Sequence, residues 1–193
     1  MLSAGRSGEE SAGRRNLRTQ LVLERITGRP PAPGYVSAAM QQGTEREAEA
    51  VALYEATTGN ILSAVGFCAA VDIQAGCSPD GVVGNFEGIA EIKSPLPATH
   101  LEYLRSGMVP SAYLKQVTHN MWITGALWCD WLSYNPDFPD ALQIKIVRVM
   151  QTELAIEDYA KKAKAFLAEV DRDVEVLRTL SNLPATLQQA VTA

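Results

Sequence analysis

Two carboxylates and one lysine stand at a spacing that suits metal-assisted hydrolysis. Asp80 follows Pro79 in a turn, and Glu91 and Lys93 begin eleven residues further on, in a short apolar segment. Side chains alternate along a strand, so Glu91 and Lys93 would share one face while Ile92 turns into the core. Mg²⁺ is bound by one or two carboxylates with water and phosphate oxygens, and the Ile92 carbonyl would face the same ion. An ammonium group can orient or help deprotonate a water and stabilise charge on a phosphate.

The same residues have a simpler interpretation as an exposed ion pair on a surface hairpin. Glu47 adds context, because on a helix it shares a face with Val51 and Tyr54. A carboxylate on the core-facing side of a helix is unfavourable unless it is paired or bound to metal. Glu47 is therefore a candidate ligand, with a structural salt bridge as the alternative.

Polar side chains on a later helix form a second candidate group. Tyr113 and Gln116 are three residues apart, and Asn120 follows one turn later. Such a ridge could reach a metal-bound water or a phosphate. Helix surface is the alternative for all three, and for Asn120 it is the preferred interpretation.

These residues need a hairpin and several helices to hold them together. Gly84-Asn85 is a turn signal between Val82-Val83 and the strand 88–93. Capping and periodicity predict helices over 17–27 (capped by Asn16), from 37 or 44 to 57, over 111–126 and over 153–180. Further strands are expected within 61–73, 127–134 and 142–147. The order α–α–β–β–β–α–β–β–α predicts an α/β or α+β fold with a central mixed sheet flanked by helices.

Composition and charge narrow the class of protein. The 193 residues carry a net charge of −5, with three cysteines and two histidines. The small, odd number of cysteines argues against a disulfide framework and a thiolate zinc site, and the two histidines argue against a histidine-rich zinc site. Without an apolar membrane segment or a secretory signal, a cytoplasmic protein is expected. Residues 1–16 are expected to be a flexible lead-in, 17–180 one domain and 181–193 a frayed tail.

Several segments, taken in order, resemble the lambda-type or YqaJ-like viral recombination exonucleases of the PD-(D/E)xK nuclease superfamily. The matching segments lie between about residues 17 and 178, and they are Gly43-Thr44-Glu45-Arg46-Glu47, Ser78-Pro79-Asp80-Gly81, Gly88 to Pro95, Tyr113-x-x-Gln116 with Met121, Thr124 and Gly125, and Tyr134-Asn135-Pro136. The resemblance implies a restriction-endonuclease-like core.

The resemblance also implies roles for individual residues. Asp80, Glu91 and the Ile92 carbonyl would hold Mg²⁺ or Mn²⁺, and Glu47 would join this cluster. Lys93 would act on the attacking water, and Gln116 would place that water or the scissile phosphate. Further substrate contacts would come from the remaining candidates, Tyr113, Ser94, Arg6 and Arg14.

The family activity implied by the resemblance is digestion of linear duplex DNA from the 5′ end. The products would be mononucleotides and a 3′ single strand, which a single-strand annealing partner uses in recombination. The best-known member of the family is a ring-shaped trimer around DNA, so a homo-oligomer is expected. An endonuclease with the same core, a catalytically silent DNA-binding module and a purely structural phage protein are the alternatives.

The sequence departs from the family pattern at its front end. The R-x-G-x-x-T-A-S motif, which grips a 5′ phosphate in family members, is not present, and the chain is expected to start just after it. Either the natural start lies upstream, or the sequence is truncated, or Arg6 or Arg14 takes the place of the motif. Many relatives also have a second glutamine where this chain has Thr118. These departures bear on the 5′ preference and on processivity.

Overall fold

A computed structural model describes residues 10–29 and 38–181, with side chains at 10–29 and 46–180. Within these ranges the helices are α1 (Ala12–Thr27), α2 (Ala38–Thr58), α3 (Pro97–Ser106), α4 (Ser111–Thr124) and α5 (Ile156–Ser181). The strands are β1 (Cys68–Ala69), β2 (Gly76–Cys77), β3 (Gly81–Val83), β4 (Gly88–Lys93), β5 (Trp128–Tyr134) and β6 (Ile144–Met150). The described residues fall into two compact units, one within Tyr35–Tyr159 and one within Met1–Gly34 and Ala160–Ala193.

The larger unit is built on a four-stranded mixed sheet in the order β3-β4-β5-β6. Strands β4 and β5 are parallel, and the two outer pairings are antiparallel. Parallel neighbours need a crossover connection, which α3 and α4 provide between β4 and β5. Every residue of β5 is buried, as expected for a central strand that is covered on both faces. The predicted central mixed sheet is confirmed.

Helices cover both faces of this sheet, and the alternation along β4 decides what each face carries. Ile89 packs in one core with Met121 of α4, while Ala90 packs in the other with Tyr54 of α2. Glu91 therefore points to the α4 side. The predicted alternation of Glu91 and Lys93 against a core-facing Ile92 is confirmed by the packing of Ile92 with the α2 core.

The glycine that opens β4 is required by a close approach of β5. A Cβ at Gly88 would lie 2.2 Å from Cζ2 of Trp128, which is its register partner. The same indole also packs against Arg148, whose Cζ is 3.7 Å from the ring centroid. Gly88 thus allows β4 to pair with β5 in the register that positions Glu91.

Some predicted element boundaries were wrong. Helix α1 begins at Ala12 rather than Leu17, because the Ser11 Oγ accepts the Arg14 N–H at 3.3 Å and caps the helix there. Its predicted end is confirmed by Gly28, which has a φ of 64°. Helix α5 begins at Ile156, since 151–153 form a short 3₁₀ turn. Strand β6 likewise starts at Ile144, after a 3₁₀ turn at 140–142.

Two further expectations were wrong in kind. The predicted strands in 61–73 reduce to Cys68–Ala69 and a single bridge between Ser63 and Val82. Helix α3 was not predicted, because Ser94-Pro95 was taken as the end of a strand and the segment up to Ser111 was given no element. Proline is compatible with the first turn of a helix, and Pro97 occupies that position in α3.

The smaller unit contains α1 and most of α5. Its core consists of apolar residues from both helices, namely Val22, Phe166, Val170 and Val174. Leu177, further along α5, is 42 % exposed. None of the described helices has the length and apolar character needed to span a membrane.

Candidate functional site

The β3–β4 hairpin places Asp80 beside Glu91. Gly81 pairs with Ala90 in the hairpin, and the N–H of Asp80 donates to the Ala90 carbonyl at 3.1 Å. The Asp80 side chain then accepts the Ile92 N–H on its Oδ2 at 2.6 Å. The backbone pairing and this hydrogen bond together hold the Asp80 carboxylate at the start of β3, next to the middle of β4.

Glu91 is almost completely buried, with 1 % of its surface exposed. Its Oε1 accepts from the Lys93 ammonium, which forms an ion pair with it, and from Gln116 Nε2 at 2.5 Å. Its Oε2 accepts from Asn120 Nδ2 at 3.0 Å. A buried carboxylate needs such partners, because an ionised group without them is strongly unfavourable in the interior.

Lys93 lies between the carboxylates and an aromatic group on α4. Its Nζ is 5.4 Å from the centroid of the Tyr113 ring. The Tyr113 ring packs on Trp131, with 5.8 Å between the two ring centroids. The following residue, Ser94, has a buried hydroxyl that lacks a hydrogen-bond partner among the described residues. The lysine is thus held by its own strand and by the ring, within reach of Glu91.

The electrostatics of the site oppose full ionisation of its carboxyls. Burial raises the pKa of Asp80, although the Ile92 N–H and the Lys93 charge act in the other direction. Burial and then the charge of Asp80 raise the pKa of Glu91. The pKa of Glu47 is also raised, first by burial and then by Asp80. A bound cation would reverse this local balance.

The donor chemistry fits a hard cation held by few protein ligands. Among the described residues, no three Asp, Glu, His or Cys side chains are arranged to hold one metal ion together. Asp80 and Glu91 still supply two carboxylates, and Mg²⁺ is commonly bound by one or two, with waters and phosphate oxygens completing its shell. Ile92 follows Glu91 in β4, and its N–H donates to the Asp80 carboxylate.

The structure brings together some of the predicted site residues and not others. Lys93 and Gln116 bind the Glu91 carboxylate, and Asp80 accepts the N–H of Ile92 beside it. Glu47 is coupled electrostatically to Asp80 and Lys93. Arg14 lies in the smaller unit, where it pairs with Glu10 and Glu169. The position of Arg6 lies outside the described residues.

Asn120 is the residue that the sequence interpretation missed. It was assigned to the helix surface, but it is 3 % exposed and donates to Glu91. Its position four residues after Gln116 puts both amides on one face of α4. That spacing was the signal available in the sequence, and only the packing of α4 on β4 shows which way the face points.

A second polar network lies on the opposite face of the sheet and was not predicted. Asp130 of β5 is 1 % exposed and accepts from Tyr54 of α2 at 2.7 Å. It also accepts two hydrogen bonds from the Arg148 guanidinium, at 2.8 and 2.7 Å. This network attaches α2, the helix that carries Glu47, to the centre of the sheet.

Comparison with known proteins agrees with this architecture. The YqaJ-like viral recombinase domain matches residues 9–127. Among solved structures, an alkaline exonuclease (LHK-Exo) from Laribacter hongkongensis is 36 % identical, with a TM-score of 0.80, covering 89 % of this chain and 87 % of its own. The same protein in complex with dAMP matches equally well. No curated protein sequence matches the chain.

A more distant structure shares the fold. A phage-related exonuclease from Haemophilus somnus 129PT has a TM-score of 0.66 at 13 % identity, covering 91 % of this chain and 92 % of its own. The match of the recombinase domain includes the hairpin with Asp80, Glu91 and Lys93 and the helix with Gln116. On this sequence and structural agreement, the chain belongs to the YqaJ-like viral recombinase domain family.

Proposed function

We propose that this protein is a divalent-metal-dependent exonuclease of the phage type that hydrolyses linear double-stranded DNA. One observation carries the proposal: Lys93 and Gln116 both bind the Glu91 carboxylate, and the Asp80 carboxylate accepts the backbone N–H of Ile92, the residue after Glu91. The 36 % identity to the alkaline exonuclease from Laribacter hongkongensis, over most of both chains, supports an exonuclease activity.

The proposed cofactor is Mg²⁺ or Mn²⁺, held by Asp80, Glu91 and the Ile92 carbonyl. The burial that raises the pKa values of Asp80 and Glu91 supports this assignment, because a bound cation would offset the cost of keeping buried carboxylates ionised. Glu47, whose pKa is raised first by burial and then by the charge of Asp80, would add a further negative charge next to the ion. When bound, the metal supplies Lewis acidity at the phosphate and makes a water more acidic.

The chain's own residues would align the reaction. Lys93 would orient the attacking water through its ammonium and offset negative charge that develops on the phosphate. Gln116, whose side chain reaches the Glu91 carboxylate at 2.5 Å, would place either the water or the scissile phosphate. Asp80 would hold its position through the Ile92 N–H, so that one carboxylate oxygen stays directed by the backbone.

The proposed substrate contacts differ in how far the geometry supports them. Tyr113 lies next to Lys93, and the Ser94 hydroxyl, buried without a partner among the described residues, would donate a hydrogen bond to a phosphate oxygen. Arg14 remains a proposal for the 5′ phosphate, although both sides of its guanidinium are paired with glutamates. Arg6 remains a proposal from the sequence alone.

The proposed products are mononucleotides and a 3′ single strand, released by digestion from the 5′ end in the host cytoplasm. A single-strand annealing protein would then use the remaining strand. The relative described with dAMP, a deoxynucleoside monophosphate, supports the mononucleotide product.

The first test compares linear and covalently closed circular duplex DNA with Mg²⁺ or with chelator. Acid-soluble nucleotide should appear only from the linear form and only with metal. Lys93→Ala should lower this rate by at least about 100-fold, as expected when transition-state stabilisation and water activation are lost, with DNA affinity largely unchanged. Lys162→Ala is the matched control, because Lys162 is an exposed lysine on α5 and should leave the rate unchanged.

The outcomes separate the proposal from its rivals. Cleavage of closed circles would identify an endonuclease, and binding without cleavage a silent DNA-binding module. Wild-type activity in Lys93→Ala would reject the role of Lys93. Polarity follows from duplexes labelled at either end: early release of a 5′ label, slowed by a blocked 5′ phosphate, supports 5′ digestion, whereas early release of a 3′ label excludes it.

A further inference from the structure

Asn120 is the buried partner of the Glu91 carboxylate. Its side chain is 3 % exposed and donates to Oε2 at 3.0 Å, whereas Lys93 and Gln116 both bind the other oxygen, Oε1. Lys93 is only half-buried and Gln116 is exposed. Among the contacts that the structure describes for Glu91, the one to Oε2 therefore comes from the interior of the protein.

The backbone of Asn120 is itself held in place. Its carbonyl accepts a hydrogen bond from the Thr124 hydroxyl at 2.7 Å and a weak one from the Cys77 thiol at 3.9 Å. Its neighbours Val117 and Met121 are fully buried in the core between α4 and the sheet. The position of the Asn120 amide is thus set by packing and leaves it little freedom to move.

We propose that Asn120 is a positioning residue that fixes the rotation of the Glu91 carboxylate for metal binding. Lys93 and Gln116 have roles toward the water and the phosphate in the proposed reaction, so their contacts with Glu91 are free to change during turnover. Asn120 is buried and keeps Oε2 engaged, so that Oε1, whose contacts with Lys93 and Gln116 can change, is the oxygen left for the ion. The inference rests on the proposed metal-dependent function.

Some residues hydrogen-bond to a metal ligand without binding the metal themselves. Replacing such a residue typically lowers the metal affinity by about 10–100-fold. Asn120→Leu keeps a similar size but removes the donor, and Asn120→Ala removes the donor while tolerating a small cavity. Both should weaken Mn²⁺ binding by that factor and raise the Mg²⁺ concentration needed for half-maximal cleavage. The Michaelis constant for DNA should stay near the wild-type value.

The measurement is a calorimetric titration of Mn²⁺ into the whole chain without DNA, followed by cleavage of linear duplex across a range of Mg²⁺ concentrations. Val149→Ala serves as the control, since Val149 is buried in the same core and lies on the edge strand β6, and its truncation lowers stability without removing a donor from Glu91. Mn²⁺ affinity lowered in both Asn120 variants and unchanged in Val149→Ala supports the inference.

Unchanged Mn²⁺ affinity in the Asn120 variants, with only a lower melting temperature, would show that the residue is purely structural and overturn the inference. If Asn120→Leu does not fold, Asn120→Ala decides alone. A wild-type chain that neither binds Mn²⁺ nor degrades DNA would reject the proposed function itself, whereas an active wild type with unaffected variants rejects only the role of Asn120.

Discussion

The individual carboxyls of the hairpin lie in surroundings that favour their neutral form when no cation is bound. Burial is the main cause for Asp80, Glu91 and Glu47 alike, and the charge of Asp80 adds to it for the other two. A folded-state pKa above the unfolded value means that ionisation near neutral pH lowers the free energy of unfolding. The site is therefore a source of instability that a divalent cation would relieve.

Asp80→Asn should consequently raise the melting temperature of the metal-free protein by a few degrees. The amide oxygen can still accept the Ile92 N–H, so the substitution removes a charge while keeping the hydrogen bond. Mg²⁺ or Mn²⁺ should raise the melting temperature of the wild type, because ligands that bind the native state stabilise it, and should have little effect on the variant. Thermal unfolding with chelator and with metal measures both effects.

Asp140→Asn is the control for that substitution, because Asp140 is an exposed aspartate in a 3₁₀ turn. It should change neither the metal-free stability nor the response to metal. An Asp80→Asn protein that melts below the wild type and is still stabilised by metal would argue against Asp80 as a ligand.

At the level of elements, α2 is attached to the sheet by buried polar contacts as well as by apolar packing. Tyr54 is fully buried and donates to Asp130, which is itself paired with Arg148. Tyr54→Phe keeps the ring but removes the donor to a buried charge. A hydrogen bond to a charged group contributes about 1.5–3 kcal/mol, so the free energy of unfolding should fall by that amount in chemical denaturation.

Tyr134→Phe offers a matched comparison on the same face of the sheet. Its hydroxyl donates to Glu49 at 2.9 Å, but Glu49 is exposed, so water can replace the lost partner. The loss there should stay below about 1 kcal/mol. Equal losses in the two variants would mean that Asp130 does not depend on Tyr54.

Helices α1 and α5 of the smaller unit are joined by ion pairs whose strength depends on pH. Arg14 donates to Glu169 at 2.7 Å, and this hydrogen bond is the main reason why the pKa of Glu169 is lowered. A lowered folded-state pKa stabilises above the unfolded value and loses its effect as pH falls through the folded value. The Arg14–Glu169 pair should therefore contribute at neutral pH and fade in acid.

Arg14→Ala should reduce the free energy of unfolding at pH 7 by about 1 kcal/mol or less, since the pair is only partly shielded from water. The difference from wild type should shrink as the pH falls below 4.5, the ordinary value for glutamate. Chemical denaturation at a series of pH values measures this difference in the free energy of unfolding. Arg15→Ala is the control, because the Arg15 side chain is 62 % exposed and its Nε is 3.8 Å from Glu10. A difference that grows in acid would contradict this assignment.

At the scale of the whole molecule, the remaining expectation is assembly. The family resemblance predicts a ring-shaped trimer, which would keep the enzyme on one DNA molecule through many cleavage steps. Sedimentation should then show a species of three times the 20.9 kDa chain mass. Digestion of a labelled duplex should also continue after excess unlabelled DNA is added. A monomer that stops at once under this challenge would exclude the ring.

The fold class could be predicted because it follows from patterns between residues that are close in sequence. Alternation along 88–93 and the Gly84-Asn85 turn predicted the β3–β4 hairpin, and helix periodicity predicted α4 and most of α5. Errors occurred where a short-range signal had two interpretations. Pro97 indicates either a loop or the first turn of a helix, and the apolar run at 61–73 indicates a strand only if another strand is available to pair with it.

The sequence alone determined the grouping of Asp80, Glu91 and Lys93, since a hairpin of fixed register brings residues eleven apart onto neighbouring strands. It did not determine which helix face meets that group. Asn120 and Asp130 find their partners only when α4 and α2 pack on opposite faces of the sheet. Those contacts join residues 29 and 76 positions apart, and burial at such separations depends on how the whole chain packs rather than on any local period.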